Sequence, residues 1–302
     1  MGLFQNAFFF AGTVYALFYE RILVFYFLFF VGAFAVLYLI TPSGKFNPLR
    51  RKIMFSTWEQ SKDGNIHVRL EQDVTNLLKY QSTFKNEEKP SVTHVVSKAL
   101  AMSLNSSRDT LNGKIVFDKF VPFENVSVTV LVDVKGMDLA AITIKDMDKL
   151  TIQDINQYIR NKGKKAKENK DEDHKKRTGP LKLLPPFIIR VLLKVTTWIS
   201  FNLGLNLPPF GIKKDTFGAG CVTSIGSLGL KDAIVPFTPF MNCSVIVSVG
   251  QIEEKVIVKG GEIVKAPIIN LNFTIDHRFI DGAKGKKILN EFIDVMENPE
   301  KY

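Results

Sequence analysis

The longest uninterrupted apolar run lies near the start of the chain. Residues 22–40, "ILVFYFLFFVGAFAVLYLI", are nineteen positions without a charge. At about 1.5 Å of rise per helical residue they would reach ~28 Å, close to the roughly 30 Å hydrocarbon core of a bilayer. The pattern predicts a transmembrane helix. A cleaved signal peptide would carry a shorter apolar stretch ending at a small-residue site, which "LYLITPSGKF" does not offer. The preceding "NAFFFAGTVYALFY" is apolar as well, but Glu20 and Arg21 stop it. Residues 1–44 are read as an N-terminal membrane anchor and 45–302 as a globular domain.

Beyond the anchor the apolar positions change period repeatedly. "NIHVRLEQDV" alternates as a strand does, and "DVTNLLKYQSTFKN" follows with a helical period and Asp73 as its N-cap. "SVTHVVSKALAMSLNSS" predicts a second amphipathic helix opened by Ser91 or Thr93, with His94 as a surface or packing residue and not a ligand. "VSVTVLVDV", residues 126–134, is a β-branched run that predicts a strand, and a polar-faced helix is predicted to start at Thr151. From residue 243 the pattern predicts a strand, a charged turn over "QIEEK", a short strand, a Gly-Gly hairpin turn at 260–261, and a long strand into His277. An amphipathic helix then runs to Pro299. Irregular alternation of strands and helices indicates an α/β or α+β domain.

Residues 180–210 stand apart. Between Pro186 and Pro208 they are apolar except for Arg190, Lys194 and Thr197, which share one helical face. A buried core helix is one reading. Two cations on one side, with Trp198 near one end, predict instead an interfacial helix over about 185–203.

Net charge is +10, part of it concentrated. "NKGKKAKENKDEDHKKR", residues 161–177, holds eight Lys/Arg against four Asp/Glu, and a solvated basic loop is expected over 161–179. No aromatic residue interleaves with these cations to stack a base, so nucleic acid is not expected as a partner; anionic membrane lipids or a phosphorylated cofactor are. Lys45, Arg50, Arg51 and Lys52 follow the anchor against Arg21 before it, which orients the domain to the cytoplasmic side or an organellar interior. The mitochondrial inner membrane is one membrane that would fit. Cys221 and Cys243 lack C-x-x-C spacing, so neither a metal knuckle nor a disulfide framework is predicted, and no metal is expected. Of the sequons at Asn105, Asn125, Asn242 and Asn272, at least two fall in strand-like runs that leave no room for a glycan.

The segment richest in candidate chemistry is "TIDHRFIDGAKGKK", residues 274–287. It sets His277 between Asp276 and Arg278, with Asp281 and Gly282 close behind, where an apolar strand hands over to a helix. A histidine there suits proton transfer.

"DHRFIDG", followed by a helix ending "MENPEKY", resembles the close of the catalytic domain of dihydrolipoyl acyltransferases. These are the core components of 2-oxoacid dehydrogenase complexes, within the chloramphenicol acetyltransferase-like superfamily. "RRKIMFSTW" resembles that domain's basic opening, "DVTNLLKYQSTFKNEEKPSVTHVVSKALAMSL" its first helices, and "SIGSLG" its glycine-bearing strand turn. The resemblance covers residues 48–302 and is weakest over 160–215. It implies a two-layer α/β sandwich of the chloramphenicol acetyltransferase-like class that forms homotrimers, with a channel at each subunit interface admitting coenzyme A or acyl-CoA as substrate. It implies His277 as a general base that takes a thiol or hydroxyl proton during attack on a thioester. Asp281 would pair with Arg50 or Arg51 to fix the turn, Asp276 and Arg278 would support it, and Gly282 would allow the tight entry into the helix.

Two departures shape the expectation. A hydroxyl residue that donates to the oxyanion commonly stands two before the Leu-Gly pair, where this chain has Gly226. Ser224 or Ser227 would have to substitute. A membrane anchor also stands where lipoyl and peripheral-subunit-binding domains would, and the chain stops at Tyr302 without the apolar tail that joins trimers into cages. No covalent lipoyl group is expected, and an anchored trimer, alone or within a larger membrane complex, replaces the soluble assembly. The acyl acceptor is not legible. The sequence supports a membrane-anchored CoA-dependent acyltransferase; a silent scaffold of the same fold and a non-turning acyl-CoA sensor stay open beside it.

Overall fold

The computed structural model describes residues 21–33, 36, 64–85, 88–116, 119–134, 138–167, 184–208, 212, 214–238, 240–280 and 282–302. The chain divides into two units, Met1–Pro48 and Leu49–Tyr302. In the first, residues 21–33 are helical, and the side chains of Phe25, Phe27 and Phe30 are about two-thirds exposed. Among the described residues no helix is long and apolar enough to cross a membrane. The span expected over 22–40 lies partly outside the described residues.

The second unit is built on a six-stranded sheet. Its strands are β1 (Asn65–Asp73), β4 (Val128–Val134), β5 (Asp138–Ile144), β6 (Gly220–Ser224), β7 (Val245–Lys259) and β8 (Glu262–Asp276), in the order β1-β8-β7-β6-β4-β5. β6 runs parallel to both β4 and β7, and the other pairings are antiparallel. A separate hairpin pairs β2 (Gly113–Val116) with β3 (Lys119–Pro122).

Helices α1 (Thr75–Ser82), α2 (Val92–Asn105), α3 (Ile152–Lys167) and α5 (Gly282–Glu297) contribute to the main core, and α4 (Pro186–Asn202) is the other long helix among the described residues of this unit. Leu77, Val96, Leu100, Ile155, Phe292 and Val295 meet Val130, Val222, Val247, Leu271 and Phe273 of the sheet in that core. The opposite sheet face carries a smaller cluster of Cys221, Met241, Cys243 and Ile246, joined by Phe217 and Phe240. Both cysteines are buried free thiols, and burial pushes Cys243 up to about 12. The result is the expected two-layer sandwich.

Local chemistry explains the helix starts. Thr75 N–H and its hydroxyl both donate to Asp73 Oδ1, at 2.9 and 2.5 Å, but the N-cap position of α1 is Val74, so Asp73 stands one residue before the cap expected of it. Ser91 opens α2 with its hydroxyl accepting from His94 N–H, while Ser91 N–H donates back to His94 Nδ1 at 3.2 Å. This is a capping box with histidine in the acid's usual place. Thr151 and Asp154 exchange the same kind of bonds at the start of α3.

Two further expectations need correction. The basic loop over 161–179 does not begin at 161: α3 continues to Lys167, because Ile155, Ile159 and Gly163 keep its buried stripe on the sheet. Residues 168–179 lie outside the described residues. The charged turn over "QIEEK" is instead uninterrupted β7, pairing with β8 through Ile252↔Ile269 to Lys255↔Ala266 after a bulge between Val249 and Ile252. Glu253 and Lys255 do not break the strand; they pair with Lys231 and Glu71.

Candidate active site

β8 delivers His277. Its last residue, Asp276, gives its N–H to Ser244 O at 3.0 Å, and His277 N–H reaches Gly64 O at 3.1 Å, so the ladder holds the backbone up to the histidine itself. The chain then turns, with Phe279 N–H bonded to Asp276 O. The Asp276 carboxylate closes the turn on itself: it accepts from Arg278 N–H at 3.0 Å and takes the Arg278 guanidinium on both oxygens, at 3.0 and 2.6 Å. Phe279 and Ile280 are buried, Phe279 edge-on to Phe120 of β3 at 6.2 Å, so they pin the turn from beneath. His277 and Arg278 are left exposed.

The ring of His277 is oriented by one bond. Nδ1 lies 2.9 Å from the Ile280 carbonyl. A carbonyl oxygen can only accept, so Nδ1 carries the proton and the neutral ring has its lone pair on Nε2. That is the tautomer a general base needs. Asp281, Arg50 and Arg51 lie outside the described residues, so the pairing expected among them does too. Gly282 is the first residue of α5.

The second expected half of the site is the turn after β6. Gly226–Leu228 form one turn of 3-10 helix, and Gly229 follows in the left-handed region at φ +78°. Ile225 N–H donates to Val249 O, which fastens the turn to β7 at its bulge. Ser227 is exposed and gives its hydroxyl to Ser224 O at 3.1 Å. Gly226 packs against the backbone of Gly250: a Cβ added there would stand 2.5 Å from the Gly250 carbonyl oxygen and 2.9 Å from Gln251 N. The hydroxyl-bearing position of the resemblance is therefore closed to any side chain while this turn keeps its shape.

Sheet register places the two halves far apart within one chain. Gly220, Val245 and Ile275 share one row, and Ser224, Val249 and Leu271 share another. The rows are four residues apart, or about 13 Å at the usual strand rise. His277 continues outward past the first row and Gly226 past the second. Asp276, His277 and Arg278 are together; Ser224, Gly226 and Ser227 are together; the two groups do not meet in one chain.

Sequence patterning missed the residues that hold the exit of the serine turn. Residues 231–235 cross the sheet's second face as a strap: Asn270 Nδ2 donates to Lys231 O, Ser248 Oγ to Ala233 O, and Thr274 Oγ1 to Val235 O, at 3.3, 2.5 and 2.8 Å. Arg69 pairs with Asp232 beside them. The signal was present as buried polar residues at alternate positions of an apolar strand, which need partners. Gly250, isolated in a strand pattern, likewise signalled close backbone approach. Among the described residues no group of His, Cys, Asp and Glu could hold a metal ion.

Comparison with known proteins agrees with this architecture. The Bacillus subtilis dihydrolipoyllysine-residue acetyltransferase component of pyruvate dehydrogenase complex is 28% identical over 281 residues, covering 86% of this chain and 52% of that protein. The chain thus spans about half the length of that curated relative. The crystal structure of a probable dihydrolipoamide acetyltransferase from Listeria monocytogenes matches with a TM-score of 0.61 at 19% identity, over 86% of this chain and 96% of that one. That of Azotobacter vinelandii dihydrolipoamide acetyltransferase, solved to examine a serine, a histidine and an asparagine in its catalytic mechanism, gives 0.57 at 14% identity, over 78% and 83%. At these identities the structures show the fold. The family model for 2-oxoacid dehydrogenases acyltransferase (catalytic domain) matches residues 44–179 and 213–302, and the chain belongs to that family.

Proposed function

We propose that the protein is a membrane-anchored, CoA-dependent acyltransferase in which His277 is the general base. The observation that carries this is the His277 ring: exposed on a rigid turn, its Nδ1 proton engaged by Ile280 O, its Nε2 lone pair available. In the Azotobacter enzyme the asparagine under study stands four residues after the histidine. Asp281 holds that place here.

Nε2 takes the proton from the acceptor thiol or hydroxyl as its sulfur or oxygen attacks the thioester carbonyl. The carbonyl π pair moves to oxygen and forms a tetrahedral oxyanion. Collapse breaks the carbon–sulfur bond, and the imidazolium returns the proton to the departing CoA sulfur. With Gly226 supplying no hydroxyl, Ser224, Ser227 or backbone N–H groups of the turn serve the oxyanion.

Because the two halves of the site sit at opposite ends of the strands, His277 of one subunit works against the 224–229 turn of another. A head-to-tail ring such as a homotrimer supplies that arrangement. The anchor is residues 22–40, single-pass, with the domain on the cytoplasmic or organellar interior side. The exposed Phe25, Phe27 and Phe30 of the helical segment and the Lys45–Lys52 charge cluster support it.

The test is release of free CoA thiol from acyl-CoA by detergent-solubilised protein with thiol, amine and alcohol acceptors, wild type beside His277→Ala. Acceptor-dependent release only in wild type is expected. A second reading, a silent scaffold of the same fold, draws on the closed position at Gly226. Equal inactivity of both proteins with the oligomer intact would favour it.

A further inference from the structure

α4 is amphipathic the wrong way round for a helix on a water-facing domain. Its exposed residues are Phe187, Arg190, Val191, Lys194, Val195 and Trp198, while Ile189, Thr196 and Ser200 are buried. Val191 is 58% exposed and Trp198 49%. Thr196 returns its hydroxyl to the Leu192 carbonyl at 2.6 Å, so an inward hydroxyl is satisfied without help from the sheet. At 100° per residue, Phe187, Val191, Val195 and Trp198 form one outward stripe, and Arg190 and Lys194 line one edge of it. The helix contains no Asp or Glu. It also lies wholly in the gap, residues 180–212, that the family model leaves unmatched, so family membership does not account for it.

We infer that α4 is a lipid-docking helix that lies in the headgroup layer of an anionic bilayer with the Phe187–Val191–Val195–Trp198 stripe turned inward. An apolar stripe edged by cations, free of acid and carrying a tryptophan is the composition of an interfacial helix. Cations at the edge keep their heads at the phosphate level while their stems cover apolar surface. The lysine-rich sequence just before the helix adds attraction to anionic lipid. A second apolar helix in the same chain, residues 21–33 with exposed Phe25, Phe27 and Phe30, argues for lipid over a second copy as the occupant.

The helix is tied to the candidate site. Lys114 of β2 gives its ammonium to the Phe201 carbonyl at the end of α4 and to Asp215, at 2.9 and 2.8 Å, and stands 5.1 Å over the Phe201 ring. The β2–β3 hairpin that carries Lys114 also carries Phe120, which packs on Phe279 beneath the His277 turn. Docking α4 on a bilayer therefore sets the standing of the His277 turn relative to the membrane surface.

The inference rests on the membrane setting proposed above and not on acyl transfer. The chain has two tryptophans, Trp58 and Trp198, so Trp58→Phe isolates Trp198 emission in the full-length protein. The protein is reconstituted into vesicles of phosphatidylcholine and phosphatidylglycerol, with bromines placed high or low on the acyl chains. Loss of most Trp198 emission to the high bromines, little to the low ones, and recovery of emission in Val191→Asp/Val195→Asp, is the expected result. If the chain floats with the vesicles but Trp198 is untouched by bromolipid and open to acrylamide, the docking inference is overturned and the anchor stands. If it floats and Trp198 is shielded from both quenchers, a second copy covers the stripe and the inference again fails. If the chain does not float at all, the membrane setting itself is wrong.

Discussion

His94 and His277 each lie near the start of a helix, and each has Nδ1 in a bond with backbone, yet the two bonds run in opposite directions. At His94 the ring accepts from Ser91 N–H, its lone pair is consumed by the cap, and the side chain is buried. At His277 the ring donates to Ile280 O, its lone pair is left on Nε2, and the side chain is exposed. Burial first, and the Arg160 charge after it, hold His94 down to about 4, with a bond to Asn156 working against them. One imidazole is spent on structure and the other keeps a nitrogen able to accept a proton. The direction of a single hydrogen bond, together with exposure, separates them.

The largest expected effect belongs to His277. Replacing it with Ala should lower thioester turnover by about 10²–10⁴-fold and leave the melting temperature unchanged, because the ring is exposed. A matching fall in melting temperature would make it a structural residue like His94. His94 should show the converse. Its folded value lies below its unfolded one, so its stabilisation is full above about pH 6.5 and is lost as pH falls toward about 4. The loss is on the order of 3 kcal/mol across that window. Denaturant titration of wild type and His94→Gln between those pH values checks it, and parallel curves would contradict it.

Smaller effects sharpen the contrast at the other end of the strands. Gly226→Ser restores the hydroxyl of the resemblance but drives Cβ into the Gly250 carbonyl. It should cost about 1–3 kcal/mol of stability through overpacking and yield no gain in turnover. A stable, faster variant would show that the turn opens. Asp276→Asn removes the charge that Arg278 clasps. With Arg278 largely exposed, the loss in stability should be about 1 kcal/mol or less. Equilibrium unfolding at low and high salt measures it.

Much of this was legible because local rules suffice for it. Ser91 and Thr151 announce helix starts that need only their own neighbours, Asp73 announces one to within a residue, and Gly260–Gly261 announces the hairpin. In "DHRFIDG" the structure adds what the pattern did not state: Phe279 and Ile280 are buried, Asp276 and Arg278 bond to each other, and His277 is exposed. What failed depended on distant partners. "QIEEK" looks like a turn until Glu71 and Lys231 are known to stand opposite its charges. Hydropathy could not say which side of α4 faces out, because an apolar stripe runs beside Arg190 and Lys194 on the exposed side while two hydroxyls, Thr196 and Ser200, face in. The distance between the 224–229 turn and His277 was likewise not legible, because the register of three strands sets it.

That separation gives the most direct test of the account. Ser227 is exposed, so Ser227→Trp fills the mouth of the turn without entering the core, and each of Ser227→Trp and His277→Ala should be inactive alone. Mixed during refolding or co-expression, the two should regain activity. In a head-to-tail ring, equal random mixing pairs an intact histidine with an intact turn at about one interface in four, so about a quarter of wild-type turnover is expected. Mixed oligomers that form and remain inactive would contradict a site shared between subunits.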